Sequence, residues 1–317
     1  MHQYLARRLL LFVPTLVVVS LLVFGLMRII PGDVALLIAG VQEGIADPKY
    51  LEEIRQSLGL RDPMPVQYVR WIGGLATLNL GDSFWTREPV LWDIARRLPI
   101  SLELAFLTMV IATAIAVPTG IISAIRQDTW LDYVARIVAI AGLSIPTFWL
   151  ANILLLVLAR VFNWLPPIEY SAPWEDLSQN LTQLFWPAMV MGYYQAAALA
   201  RMLRSAMLEV LREDYVRTAW AKGLLERVVV LRHVLKNAIL PVVTILGMQL
   251  AFLVGSMVIV ETIFVVPGVG QSLIQSIRVR DYPTLQTLIV LFAVLALLAN
   301  LAVDVLYAWL DPRIRYR

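Results

Sequence analysis

Six apolar runs, at about 9–30, 100–125, 135–161, 184–206, 238–262 and 284–310, constrain this chain more than any other feature. A helix needs about 20 predominantly apolar residues to cross the hydrocarbon layer of a bilayer, and each run reaches that length. Inside lipid every backbone N–H and C=O must be bonded within the protein, so such runs become helices. The expected fold is therefore all-α and membrane-integral, with six transmembrane helices. Overall composition agrees, since 60% of the 317 residues are hydrophobic and only 15% charged. A soluble domain has about half and about a quarter. The first run follows Arg7 and Arg8. It is too long for a signal peptide, and "RIIPGD" offers no small-residue cleavage site, so an uncleaved anchor is expected.

Orientation follows from the short connecting segments. Arg126 and Arg136 flank the start of the third run, eight Lys or Arg lie in 201–236, and Arg313, Arg315 and Arg317 end the chain. The segment "NWLPPIEYSAPWEDLSQNLTQ" has no Lys or Arg but holds Glu169, Glu175 and Asp176. This asymmetry predicts both termini and the basic 201–236 region in the cytoplasm. The net charge of +3 then reflects topology and membrane lipid, and no nucleic-acid partner is expected.

The segment Pro31–Pro99 falls outside the cytoplasm. In "DPKYLEEIRQSLGL", Leu51, Ile54 and Leu58 have helical spacing and Gly59 is a stop signal. "PMPVQYVRWIGGL" predicts a second amphipathic helix. These pieces make either a folded cap on the membrane part or a docking surface for an external partner.

Signatures of catalysis are missing. There is no phosphate loop, no H-E-x-x-H, no metal-ligand spacing and no G-x-S-x-G nucleophile. Cysteine is absent, and His2 and His233 are far apart. The expectation is a non-enzyme that holds no cofactor of its own. Arg28, Glu103, Glu261 and Asp304 fall near predicted span ends and are expected at the interfaces. Asn152, Tyr193, Tyr194, Gln195 and Gln249 are uncharged polar residues within the runs. They either line a path for a solute or hydrogen-bond between helices. An ion-coupled carrier would want buried midplane carboxylates and internal repeats, and neither is evident.

Between the fourth and fifth runs lies "DYVRTAWAKGLLERVVVLRHVLKNAILP", Asp214 to Pro241. Asp214 is expected as an N-cap, 215–222 as a short helix, Gly223 as its φ > 0 stop, and 224–236 as a second helical piece leading to Pro241. An amphipathic helix resting on anionic lipid is one reading. The glycine break, with Ala219 and Ala221 before it, fits better a knob seated in the groove of a partner.

This stretch resembles the cytoplasmic EAA loop of ABC importer permeases, in the form found in dipeptide and oligopeptide systems. "ARRLLLFVPTLVVVSLLVFGLMRIIPGD", "LGLRDPMPVQYVRWIGG", "LGDSFW", "GLSIPTFWLA", "RSAMLEVLREDYVRTAWAKG", "VETIFVVPGVGQ" and "VDVLYAWLDPRIRY" extend the resemblance to the B-type membrane subunit over the whole chain. It implies the type I permease fold with a helical extracytoplasmic insertion. Residues 1–30 would be the tail and first span, 31–99 the insertion, and 100–317 a five-helix core with the coupling loop at about 207–237. It also implies a C-type permease partner, two ATPase subunits that hold ATP and Mg, and an extracytoplasmic substrate-binding protein in a bacterial inner membrane. The coupling role would fall to Tyr215, Arg217, Thr218, Ala219, Lys222, Gly223 and Leu224. Arg217 stands where the generic motif has Glu, and Leu225 where relatives often have a capping Ser. The alternatives are an ion-coupled secondary carrier and a non-transport membrane scaffold.

Overall fold

A computed structural model describes residues 2–29, 48–57 and 61–310. Expectations placed on 31–47, on Leu58 and Gly59 and on the basic tail 311–317 lie outside the described residues, as do the side chains of Ile54 and Asp304. Among the described residues the structure is helical: α1 (His2–Ile29), α2 (Pro48–Ser57), α3 (Met64–Ala76), α4 (Val90–Ile125), α5 (Trp130–Ser144), α6 (Thr147–Val161), α7 (Leu177–Val210), α8 (Asp214–Ala221), α9 (Glu226–Val228), α10 (Leu235–Ile263), α11 (Val269–Val279) and α12 (Tyr282–Leu310). A π-helical turn, Val229–Val234, joins α9 to α10.

Among the described residues four stretches are long and apolar enough to span a membrane, namely Leu10–Ile29, Val90–Ile125, Glu226–Leu250 and Tyr282–Val303. The third apolar run is not one straight span. It breaks into α5 and α6, bent by 105°. Pro146 supplies the cause: its ring pushes the preceding residue out of the helical region, and Ile145 sits at φ −85°, ψ 122°. The fourth run lies in α7, whose Gln183, Gln195, Arg201 and Arg204 lower its hydropathy. The two glutamines are tolerable because α7 is central. Fifteen of its residues, Gln183 and Gln195 among them, are buried against protein.

The chain divides into two compact units. One comprises Ile100–Pro267 and the chain from Ala296. Its core joins Ala112, Ala116, Leu199, Leu203 and Met207 with Val216, Ala219, Val230 and Val234. A second cluster surrounds Leu104, Leu184, Leu253 and Phe264. Small residues set the helix spacing. A Cβ on Gly142 of α5 would come within 3.0 Å of the Tyr193 ring of α7, and one on Gly192 within 3.0 Å of Ile111 of α4. Close backbone approach of this kind is how helices associate where no hydrophobic gain distinguishes protein from lipid.

The other unit comprises His2–Pro99 and Gly268–Leu295. α3 packs on α1 through Phe24, Tyr68 and Trp71, with Ser20 Oγ and Tyr68 OH 2.8 Å apart. Arg28 donates to Phe24 O and, at 2.6 Å, to Gln67 Oε1. Near "LGDSFW", Asp281 precedes α12 and accepts from Ser83 Oγ (2.6 Å), the Phe84 amide (2.9 Å) and Thr284 Oγ1 (2.7 Å). Both amphipathic helices expected from the sequence are present as α2 and α3.

Glu261, two residues from the end of α10, is fully buried and accepts a 2.6 Å bond from Ser101 Oγ. Glu103 accepts from Tyr170 OH, in the loop that follows α6. Burial and the neighbouring carboxylate push the Tyr170 phenol well above its ordinary value.

Candidate functional site

Three constellations in the larger unit combine polar chemistry with a defined shape. The first is the loop between α7 and α10. Helix α8 begins at Asp214 with Glu213 as N-cap, so Asp214 is the first helical residue and not the cap. Its carboxylate instead lies 3.7 Å from Arg217 at the exposed surface. Lys222 closes the helix and Gly223 turns the chain at φ +76°. A Cβ there would meet nothing within 4 Å, so the need for glycine is conformational and not spatial. The second helical piece begins at Glu226 after Leu225, which gives no side-chain cap, and it does not end before Pro241. It runs through the π turn into α10 with Pro241 inside the helix.

One side of α8 seats the loop. Val216 and Ala219, three apart, are buried with Val229, Val230 and Val234. Asn237 Nδ2 donates to Tyr215 OH at 3.0 Å, tying α8 to the base of α10. The outer side presents Tyr215, Arg217, Thr218, Trp220, Lys222 and Leu224, all exposed. Of the residues expected at a coupling surface, Ala219 alone is turned into the chain's own core. Trp220, not singled out from sequence, joins the outer face at 42% exposure.

The second constellation is an ion pair that sequence reasoning missed. Asp132, at the start of α5, is fully buried. Arg204 of α7 donates to both its oxygens, Nε and Nη2 each at 2.8 Å. Ser123 Oγ (2.5 Å) and the Asp128 amide (3.1 Å) complete the set. Four donors saturate the carboxylate. It cannot serve as a proton relay without losing the bonds that fix α5 to α7 and to the end of α4.

The third is a cavity of about 520 Å³ at the α5–α6 bend, walled also by α7 and α10. Its lining is uncharged and includes Ser144, Thr147, Tyr194, Gln195, Gln249 and Ser256. Gln195 and Gln249 clamp the two helices: each Nε2 donates to the other's backbone carbonyl, at 3.4 and 3.3 Å. Gln249 Oε1 is buried and finds no partner among the described residues. Thus three of the five expected path residues meet at one cavity. Tyr193 turns away and donates to Val138 O at 2.7 Å, and Asn152 donates to Phe148 O one turn back on its own helix.

Comparison with known proteins gives a consistent result. The model of a binding-protein-dependent transport system inner membrane component matches residues 116–316, and the model for the N-terminal part of such components matches residues 1–105. The dipeptide transport system permease protein DppB of Alkalihalophilus pseudofirmus is 38% identical over 336 aligned positions, covering 100% of both chains. The glutathione transport system permease protein GsiC of Escherichia coli K12 is 40% identical over 317 positions, again 100% of both. Among solved structures, an inward-facing form of the MetNI methionine ABC transporter aligns with a TM-score of 0.57 at 18% identity, covering 69% of this chain and 97% of that one. An amino acid ABC transporter with histidines aligns with a TM-score of 0.50 at 14% identity, covering 68% and 92%. These two establish likeness of fold.

Proposed function

We propose a function from one premise: the chain belongs to the family of binding-protein-dependent transport system inner membrane components. It is a multi-pass permease subunit of an ATP-binding-cassette importer and not itself an enzyme. The solute is a small peptide or a peptide-like compound such as glutathione. Full-length similarity to permeases named for dipeptide and for glutathione transport carries that reading. An extracytoplasmic binding protein delivers the solute, a C-type permease completes the membrane channel, and two ATPase subunits with ATP and Mg drive alternating access. The outer face of α8 with Gly223 engages an ATPase groove. The uncharged cavity at the α5–α6 bend belongs to the solute path, where Tyr194, Gln195 and Gln249 contact the cargo.

The decisive experiment is reconstitution. With its ATPases and binding protein in proteoliposomes, the complex is expected to accumulate dialanine or glutathione in a vanadate-sensitive, ATP-dependent manner. The chain purified alone hydrolyses no ATP above a membrane-protein blank. Uptake that persists without ATPase subunits and follows an ion gradient would establish the secondary-carrier alternative instead.

Orientation gives a second expected result. The basic 201–236 region and both termini face the cytoplasm, and the region after the first span faces outward. The chain has no cysteine, so Arg61→Cys and Lys222→Cys each add a single reporter. In intact spheroplasts an impermeant maleimide labels Arg61→Cys at once and Lys222→Cys only after lysis. The reverse pattern inverts the topology.

A further inference from the structure

Beside the uncharged cavity at the bend lies another. About 260 Å³ in volume, this second cavity lies between α4, α5 and α7 and shares Leu143 with the first. Its two long walls change character in the same direction. Along α5 the lining passes from Leu143 to Arg136, and along α7 from Tyr194 and Gln195 to Arg201 and Arg204. Seven helical residues span about 10 Å at ~1.5 Å each. The walls therefore turn from uncharged to basic within two helical turns, in the direction in which α7 runs on to the Gly223 loop.

Charge accounting then leaves an excess. Three guanidinium groups, Arg136, Arg201 and Arg204, line this cavity, and one buried carboxylate, Asp132, lies beside it. Asp132 is saturated by Arg204, Ser123 and the Asp128 amide. Arg136 Nε stands 3.9 Å from it, with its guanidinium over the Tyr133 ring at 4.7 Å. Among the described residues no carboxylate is paired with Arg201. Arg201 thus has a guanidinium fork with no carboxylate on it, and Arg136, which reaches Asp132 only through Nε at 3.9 Å, has its other donors left for an oxyanion, the geometry for which arginine is best suited.

We propose that Arg136 and Arg201 form a carboxylate-receiving site on the route from the neutral cavity toward the Gly223 loop, so that the solutes carried are those with a free carboxylate. The proposal rests on the peptide-permease reading above. The phosphate of an anionic lipid has the same chemistry. The position next to the neutral cavity, with Leu143 lining both, favours the solute over the lipid.

The test needs binding measured without the binding protein, which would otherwise select upstream. The complete membrane complex, including its ATPases, is placed in nanodiscs of phosphatidylcholine, with or without phosphatidylglycerol. Binding of radiolabelled dialanine and of its C-terminal amide is compared for wild type, Arg136→Gln/Arg201→Gln and Arg201→Lys. The wild type is expected to bind the acid at least tenfold more tightly than the amide, a ratio within reach of one charge-assisted hydrogen bond. The double variant should lose the difference, and Arg201→Lys should keep part of it. Equal binding of acid and amide by the wild type overturns the site whether or not the variants fold, as does a difference that survives in the double variant. Displacement of dialanine by phosphatidylglycerol, with that lipid retained by wild type but not by the double variant, assigns the site to lipid and overturns it as well. Parallel uptake assays separate the two levels. If the wild type accumulates neither dialanine nor glutathione, the peptide reading falls and takes the site with it. If it accumulates them without an acid–amide difference in binding, only the site falls.

Discussion

Gly223→Val is expected to leave the chain inserted and at normal abundance in the membrane while abolishing solute-driven ATP hydrolysis and transport. The residue sits at φ +76°, where a Cβ costs about 1–2 kcal/mol and a branched side chain costs more. No atom lies within 4 Å of the added Cβ position, so the strain cannot be traced to a clash. It is relieved by reshaping the turn. Val216 and Ala219 hold α8 in the core from one side and Leu225 restarts the helix from the other, which leaves the segment Lys222–Leu224 to move. That segment belongs to the face proposed to enter the ATPase groove. The conformational origin predicts an order: asparagine, which tolerates the left-handed region, retains most activity, alanine less, and valine least. Co-purification of the ATPase subunits should fall in the same order. A loop that merely rests on lipid would gain affinity from the added apolar area. If Gly223→Val transports at the wild-type rate with its ATPases attached, the coupling role of this loop is wrong.

Asp132→Leu is expected to have the largest effect on folding. The substitution leaves the Arg204 guanidinium, with only 18% of its side chain exposed, without its counter-ion, and strips an acceptor from Ser123 and from the Asp128 amide. Breaking one side of such a pair costs about 3 kcal/mol or more, because the surviving charge is uncompensated. That is a large part of a typical net stability of 5–15 kcal/mol. Removing both partners is far milder, since no orphan charge remains. Asp132→Leu/Arg204→Leu should therefore recover most of the monodisperse, detergent-extracted chain and most of the melting temperature lost by Asp132→Leu alone. Wild-type thermal stability in the single variant would show that the pair does not hold α5 to α7.

What the sequence by itself determined is local or periodic. Apolar runs dictated helices because lipid offers the backbone no other partner, and the expected amphipathic helices reappear as α2 and α3. Gly223 was legible as a left-handed stop because the preference for glycine there belongs to one residue's own dihedral angles. The α5–α6 bend was equally local, written in Pro146, but it lay hidden inside a run whose hydropathy is continuous. The Asp132–Arg204 pair was not legible: its members are 72 residues apart, and each alone reads as an ordinary charge near a span end. The same holds for Glu261 with Ser101, 160 residues away. Which polar residues share a cavity was also decided by packing. Tyr193 and Tyr194 are adjacent in sequence, but one bonds the backbone of α5 and the other opens onto the bend. The rotation of α7 about its own axis, set by glycines and alanines meeting neighbouring helices, chooses between them. Spacing along a chain records how a helix can turn, whereas only its neighbours fix which way each side chain faces.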